Sequence, residues 1–407
     1  MKKIKNNDSN DQSIVRFCQY LRIKSMQPDP DYPSIMKFLK SQADEIGLEF
    51  KSMEFFPQRP IAIMTLKGND PTLPSVLLHS HTDVVSVFPE QWKYDPFGAV
   101  IADNGNIYAR GSQDMKGTGI QYLEAIRAIK KDGTTLLRTI HVIYVPDEEI
   151  GGQKGMDALA QSQYFKDLKV CVVLGEGRAS PTQEFYVHYA ERAVRTVLVT
   201  ITGSSGHASR FIENSAVSKF QKLLISCMEY REQERKRLIT DSELTLGDVT
   251  TINLTQLKAG VAFNVVPSEI YCTFDMRVTP RVDLSDFENL WKSWVDAAGD
   301  GITYKFHQRS CKPIMSSIEP GFVWWDAISR VAKKMDLALK PCITGGATDS
   351  RFLRELDIPC YGISLFNDTP MLAHDNDECV NKGTYLNGIE IYKNLLQSLA
   401  NTPLIKI

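Results

Sequence analysis

The sequence contains no long apolar run. Nowhere in its 407 residues does an apolar stretch approach the ~20 residues that a helix needs to cross a bilayer. The N-terminal segment MKKIKNNDSNDQS carries lysines, but it lacks the apolar core that follows the charged region of a secretory signal. From these two absences we expect a cytosolic protein.

The chain also lacks an excess of charge of either sign. Its 47 lysines and arginines nearly balance its 49 aspartates and glutamates, which leaves a formal net charge of −2 at pH 7. A nucleic-acid-binding protein usually has a strong basic excess, and a protein held at a membrane surface by polybasic segments would need one as well. We therefore expect neither nucleic acid nor membrane among the partners.

The cysteines form no recognisable pattern, because they are dispersed singly and no CxxC pair occurs. The eight positions are Cys18, Cys171, Cys227, Cys272, Cys311, Cys342, Cys360 and Cys379. In a cytosolic protein of this size, dispersed cysteines are mostly buried small hydrophobic residues rather than disulfide partners.

What the chain does contain is typical of a globular protein, with 43% hydrophobic and 24% charged residues. Its length corresponds to two or three domains at about 100–200 residues each. Short apolar runs alternate with helical patterns, which predicts an α/β layer structure with a mostly parallel sheet. The predicted strands cover residues 61–66, 75–78, 139–145 and 170–174, and the predicted helices cover residues 13–25, 31–46 and the segment after RGSQDMKG.

The pattern changes near residue 191. From there to residue 308 the sequence predicts elements in the order β-α-β-β-α-β, the split βαβ arrangement of a ferredoxin-like domain. The helix predicted at residues 284–298 carries an apolar stripe of Phe287, Leu290, Trp291, Trp294, Val295 and Ala298. We therefore predict an α/β domain of residues 1–190 and 309–407, interrupted by an inserted domain of residues 191–308.

Residues that bind metals in other proteins cluster in five short fragments, each after an apolar run or loop. The fragments are His81-Thr82-Asp83, Asp114 in RGSQDMKG, Asp147-Glu148-Glu149, Glu176 in LGEG, and His374-Asp375 in AHDNDE. Taken alone, an HxD sequence is usually a solvated turn and a DEE sequence is usually a surface face. Because sites form at the carboxyl ends of strands in open α/β sheets, the five fragments together predict a metal site.

The mixture of imidazole and carboxylate suits zinc, and a catalytic zinc site needs no thiolate. Two histidines cannot fill two metal sites, so we expect a carboxylate that bridges two metals about 3.5–4 Å apart. On an extended chain His81 and Asp83 leave from the same side, which would let the Asp83 carboxylate accept a hydrogen bond from the His81 ring. Glu148 and Glu149 can divide into a general base and a metal ligand.

These fragments belong to a longer series of motifs, and in this order the series resembles the co-catalytic dizinc amidohydrolases, the family of aminoacylases, carnosinases and bacterial acetylornithine deacetylase. The motifs are HSHTDVV, DPFGA, YARGSQDMKG, VPDEEIGG, GHASRF, NVVP, DMRV, GGATDSRF and AHDNDE. The resemblance extends from the first predicted helix to about residue 395, and DPFGA and PDEEIGG favour the aminoacylases. It implies a zinc-exopeptidase-like α/β/α catalytic domain and an inserted lid domain that makes a homodimer.

The resemblance also implies a ligand set with two Zn²⁺ ions per subunit. His81, Asp114 and Glu176 would hold one zinc ion. Asp114, Glu149 and His374 would hold the other, so that Asp114 is the bridge. The Asp114–Met115 peptide bond would be cis, as it is at the bridging aspartate of this family.

Further roles follow from the same resemblance. Glu148 would be the general base, Asp83 would orient His81, and His207 in GHAS would stabilise the oxyanion, in the active site of the partner subunit. Four residues would contact the substrate: Asn264 and Arg277 at its carboxylate, and Thr348 and Arg351 along the cleft.

Three positions depart from the family pattern without removing a ligand. His79 stands where a small or amide residue is common, and we expect a structural or supporting role for it rather than a sixth ligand. Gly175 precedes Glu176 where relatives often carry a second acid, and Asn376 stands where close relatives can carry histidine.

The sequence leaves three functions in competition. The first is hydrolysis of N-acyl-L-amino acids, with N-acetylated neutral or aliphatic amino acids as substrates. The second is a dipeptidase or carboxypeptidase of the same metal-dependent family, which would use the same chemistry with a different substrate pocket. The third is an inactive dimeric scaffold, which should have lost Glu148 or a metal ligand. A structural zinc site would favour a closed, cysteine-rich shell, and the motifs contain none.

Overall fold

The computed structural model describes residues 11–310 and 313–403. The chain forms two compact units. The first contains the chain up to Tyr189, Ser316–Pro341 and the chain from Thr348 onward, and the second contains Ala190–Met315 and Cys342–Ala347.

The helices are α1 Gln12–Leu21, α2 Tyr32–Ile46, α3 Lys116–Lys131, α4 Ala158–Ala160, α5 Gln163–Asp167, α6 Ala216–Thr240, α7 Leu284–Ala298, α8 Val323–Met335, α9 Ser350–Arg354 and α10 Lys382–Ala400. The strands are β1 Glu49–Glu54, β2 Pro60–Leu66, β3 Ser75–His81, β4 Val100–Ile101, β5 Asn106–Tyr108, β6 Ile140–Val145, β7 Val170–Gly175, β8 Phe185–Glu191, β9 Ala193–Thr202, β10 Gly206–His207, β11 Thr251–Ala259, β12 Val265–Val266, β13 Glu269–Val278, β14 Ile302–Arg309, β15 Leu339–Thr344, β16 Cys360–Ile363 and β17 Cys379–Asn381. A short 3-10 turn at Glu148–Ile150 follows β6, and another at Leu246–Asp248 precedes β11.

An eight-stranded sheet in the order β1-β2-β6-β3-β7-β16-β8-β15 confirms the predicted α/β class. Its centre is parallel, since β3 pairs in parallel with β6 and β7, and β16 with β7. The predicted parallel pairing is confirmed only at the centre of the sheet, because β1–β2, β2–β6 and β16–β8 are antiparallel. The connection from β1 to β2 is too short for a crossover, so these neighbours form a hairpin.

Strand β3 explains the position of the first fragment. All seven residues of β3 are buried, and β3 lies between two parallel neighbours. Its last residue, His81, is in register with Val145, the last residue of β6. The segments that follow β3 and β6 therefore leave the sheet side by side.

Helix α3 begins directly after the Asp114–Met115 peptide bond, which is cis as the resemblance implies. Its apolar residues Ile120, Leu123, Ile126 and Ile129 are all buried, as the sequence pattern predicts. Lys130 and Lys131 in its last turn complement the negative end of the helix dipole. Because Asp114 stands two residues before α3 begins, the packing of the buried face of α3 fixes the position of Asp114.

The second unit contains a four-stranded antiparallel sheet in the order β11-β13-β9-β14, which carries α6 and α7. Its main elements follow the predicted β-α-β-β-α-β order. Alternating burial along β9 shows that one face of the sheet is packed. Trp291 is 1% exposed and packs edge-on against Phe274 and Tyr304, and the predicted apolar stripe of α7, except for Leu290, is part of the core of this unit.

The cysteines in the described ranges are free thiols, and all except the half-buried Cys171 are buried, in line with the prediction. Cys311 lies outside the described residues. Between residues 11 and 403, leaving out 311 and 312, no helix has the length and apolar character that crossing a membrane requires.

Candidate metal centre and active site

The fragments with metal-binding residue types converge at one edge of the eight-stranded sheet. His81 ends β3, Glu148 and Glu149 lie in the turn after β6, and Glu176 follows β7. The three strands are parallel neighbours, so their carboxyl ends meet at the same edge. This is the arrangement that the positions of the fragments predicted.

Asp114 lies between the two histidines of the predicted ligand set. Its Oδ1 is 3.0 Å from Nε2 of His81, and its Oδ2 is 3.4 Å from Nε2 of His374. His374 Nε2 is also 3.1 Å from Oε2 of Glu149. Each oxygen of one carboxylate therefore faces a different histidine, which is the placement that a bridging ligand needs.

Two overlapping groups of side chains could each hold a metal ion. One contains His81, Asp114 and Glu149 and the other His81, Glu148 and Glu176, and within each group the ligand atoms lie within 4.8 Å of one another. In the part of the chain that the structure describes, Oε1 of Glu149 and Oε2 of Glu176 are buried without a hydrogen-bond partner. Because an unpaired buried carboxylate oxygen is costly, these atoms fit a site for a cation.

The charges of this cluster lead to the same conclusion. Burial raises the pKa of Glu148 well above its usual range, and the carboxylate of Glu176 raises it further. Burial alone would also raise the pKa of Asp114, but the hydrogen bonds with His374 and His81 lower it. So many carboxylates with only two imidazoles leave an excess of negative charge that a bound cation would neutralise. Imidazole and carboxylate ligands are the donor set of catalytic zinc.

The ring of His81 is oriented differently from the prediction. Its Nδ1 lies 3.0 Å from the main-chain oxygen of Asp83 and 3.8 Å from the Asp83 carboxylate, so it donates to the main chain. The carboxylate instead accepts the main-chain N–H groups of Glu148 at 3.1 Å and Glu149 at 3.2 Å. Asp83 thus positions the turn that carries both glutamates, while its carbonyl group holds the His81 ring with Nε2 directed at the Asp114 carboxylate, where a metal would bind.

Sequence reasoning missed the residues that hold Asp147. This residue is buried and has a positive φ of 63°. Its carboxylate accepts hydrogen bonds from Tyr32 Oη at 2.7 Å, from Gln27 Nε2 at 3.1 Å and from Arg59 Nε. Gln27 also donates to Asp83 at 2.8 Å, so it links the two acids that flank the turn. No local pattern marks these residues, because their partners are far away in the sequence.

His79 is paired with an acid outside the predicted ligand set. Its Nε2 is 3.3 Å from Oδ2 of Asp349, and both side chains are fully buried. A Cβ atom at Gly175 would lie 3.0 Å from Ser350 Oγ and 3.6 Å from His79 Nδ1. The lack of a side chain at residue 175 therefore leaves room for His79 and Ser350 behind Glu176.

The predicted substrate residues Thr348 and Arg351 lie beside the turn that carries the glutamates. Arg351 donates from Nη1 to the Thr348 carbonyl oxygen at 2.6 Å and from Nη2 to the Gly151 carbonyl oxygen at 2.7 Å. The guanidinium therefore ties α9 to the segment after Glu149. Its contact with a substrate stays a prediction.

His207, Asn264 and Arg277 belong to the second unit. Strands β10 and β12 pair antiparallel, with His207 opposite Val265, and Ala208 N donates to the Asn264 carbonyl oxygen at 3.0 Å. Arg277 is paired with Asp275 on its own strand, at 2.9 Å. Its predicted interaction with a substrate carboxylate would compete with that ion pair.

The exposed ring of His207 has a defined proton position. Its Nδ1 accepts the main-chain N–H of Ser209 at 3.2 Å. In the neutral ring the proton must then lie on Nε2, which can donate a hydrogen bond.

Comparison with known proteins places these features in context. The family model described as "Peptidase family M20/M25/M40" matches residues 77–398. The chain is 46% identical over 399 residues to Aminoacylase-1 of Mus musculus, covering 98% of both chains, and 45% identical over 391 residues to Aminoacylase-1 of Homo sapiens, covering 96% of both. The fold is similar to an M20 family metallo-carboxypeptidase of Sulfolobus solfataricus, with a TM-score of 0.74 at 20% identity, covering 95% of this chain and 99% of the other.

Proposed function

We propose, from the premise that the chain belongs to the peptidase family M20/M25/M40, that it is an aminoacylase. The reaction is hydrolysis of N-acyl-L-amino acids, chiefly N-acetylated neutral or aliphatic ones, to a carboxylate and a free L-amino acid. The observation that carries this proposal is the 45–46% identity to aminoacylase-1 proteins over nearly the whole chain. The cluster of acids and histidines at the sheet edge supports this proposal, because it contains every residue of the implied ligand set as well as Glu148.

The proposal includes two Zn²⁺ ions per subunit. His81, Asp114 and Glu176 would hold one, and Asp114, Glu149 and His374 the other, which the placement of Asp114 between the histidines supports. When bound, zinc polarises an amide carbonyl group and lowers the pKa of water.

The residues of the chain supply the proton transfers. Glu148 takes a proton from the attacking water as the new C–O bond forms, and it returns a proton to the amine nitrogen as the C–N bond breaks. The main-chain N–H of Glu148 donates to the Asp83 carboxylate, which holds the main chain of Glu148 in place.

The second unit completes the proposal as a lid and a dimerisation domain. His207 would donate from Nε2 to the oxyanion of the tetrahedral intermediate, while Asn264 and Arg277 hold the substrate carboxylate. Strand β11 is at one end of its sheet and much of it is exposed. An exposed strand edge is a ready site for pairing, so two copies of this sheet would form a symmetric homodimer in which His207 serves the partner's site. A cytosolic location stays a prediction from the sequence.

A substrate panel tests the assigned activity. With zinc bound, we expect N-acetylmethionine and N-acetylated aliphatic amino acids to be hydrolysed with a much higher kcat/KM than dipeptides. The free amino acid released is measured directly, with zinc content determined by mass spectrometry on the same sample. Faster turnover of dipeptides would replace the aminoacylase assignment with a dipeptidase. No turnover of either class with two metals bound would favour the inactive scaffold.

A second experiment tests the lid. Loss of an oxyanion donor typically lowers turnover about 10²–10³-fold, so His207→Ala should lose that much while it keeps both metals. Mixing His207→Ala with Glu148→Gln under subunit exchange should then restore activity, because one site of each heterodimer has an intact base and an intact partner histidine. The control is each variant mixed with itself. If exchange is demonstrated and activity does not return, His207 acts in its own chain or has no catalytic role.

A further inference from the structure

Glu378, the last residue of AHDNDE, has no part in the proposed mechanism, yet it is fully buried. Its Oε2 accepts hydrogen bonds from Arg110 Nη1 at 2.7 Å and from Gly111 N at 2.9 Å. Its Oε1 accepts hydrogen bonds from Gln113 N at 2.6 Å and from Asp114 N at 3.1 Å. One carboxylate therefore receives four N–H groups from the segment that ends at Asp114.

Arg110 extends this network to the second histidine. It is 2% exposed, and it donates from Nη2 to the main-chain oxygen of His374 at 3.2 Å. Its guanidinium lies 5.1 Å from the ring centre of Trp92, which restricts it further. Glu378 and Arg110 thus hold the main chain at Asp114 and at His374, two residues that the ligand set needs in the same place.

We infer that Glu378 is a positioning residue for the metal centre, acting through the main chain of Asp114 and, through Arg110, of His374. This inference rests on the proposed metal-dependent function. Charge is essential to the role, because all four contacts are donors and a carboxylate accepts at both oxygens. An amide in its place would turn one oxygen into an NH₂ group facing two N–H donors. The segment around Asp114 would then have to move.

Glu378→Gln tests the inference by zinc affinity measured on the metal-free protein with a competing chelator. Loss of a group that orients metal ligands typically lowers metal affinity 10–100-fold, and we expect a loss in that range. The folded state is checked by circular dichroism and the melting temperature. The readout needs no substrate, so it is independent of the activity assay.

The matched control is Glu124→Gln. Glu124 is 6% exposed and forms the same kind of pair, accepting from Arg16 Nε at 2.6 Å and Nη2 at 2.7 Å, but it contacts no candidate ligand. We expect this variant to lose stability and to keep wild-type zinc affinity. An equal loss of zinc affinity in both variants would overturn the inference, as would unchanged affinity in folded Glu378→Gln.

If Glu378→Gln does not fold, Glu378→Asp decides. It keeps the charge but is one methylene shorter, so it cannot reach all four donors, and we expect a smaller but measurable loss of zinc affinity. A folded Glu378→Asp with wild-type affinity would overturn the inference. The proposed function fails separately, if the wild-type protein itself does not bind zinc.

Discussion

Replacing Glu148 with glutamine is expected to abolish nearly all turnover while both metals stay bound. Glutamine keeps the size of the side chain but cannot take a proton from water. General base catalysis is typically worth about 10²–10⁴-fold. The loss should reach the upper end, because the water that Glu148 deprotonates is the only nucleophile of the proposed reaction. The measurements are kcat for N-acetylmethionine and zinc content by mass spectrometry.

The matched control is Glu355→Gln, the same chemical change at an exposed glutamate just after α9. It should keep wild-type turnover. If Glu148→Gln keeps more than about a tenth of the activity, the loss is smaller than is typical of a general base. Another group would then be the base. Loss of zinc together with activity would instead place Glu148 among the ligands, since its carboxylate oxygen lies within 4.8 Å of a ring nitrogen of His81 and a carboxylate oxygen of Glu176.

The Asp114→Ala variant is expected to lose both metals and all activity. In the wild-type protein the two carboxylate oxygens of Asp114 lie 3.0 Å from His81 Nε2 and 3.4 Å from His374 Nε2. Removing the carboxylate therefore takes a ligand from each proposed site. The measurement is the number of zinc ions bound per chain, with circular dichroism to show that the protein is folded.

His374→Ala provides the comparison for the bridge. It removes a ligand from one proposed site only, so this variant should keep close to one zinc ion per chain. A folded Asp114→Ala protein with two zinc ions would contradict the bridging role. Equal metal loss in the two variants would show that the sites are not separately occupied.

Much of the fold could be predicted because its signals are local. The spacing of apolar residues in 284–298 predicts the observed bounds of α7, and the alternating apolar and helical runs predict the α/β class. The fragments that converge at the sheet edge are also predictable, since His81 and Glu176 directly end or follow buried strands. In each case a side chain's position follows from the element next to it in the sequence.

By itself, then, the sequence determined the class of fold, the order of the inserted elements and the residue types of the candidate site. Only the tertiary structure decided which groups hold those residues in place. Asp83 accepts main-chain N–H groups from residues 65 and 66 positions away, and Glu378 pairs with Arg110 across 268 positions. Such contacts leave no periodicity or spacing in the chain, because they form only when distant segments are brought together by the packing of the sheet and its helices.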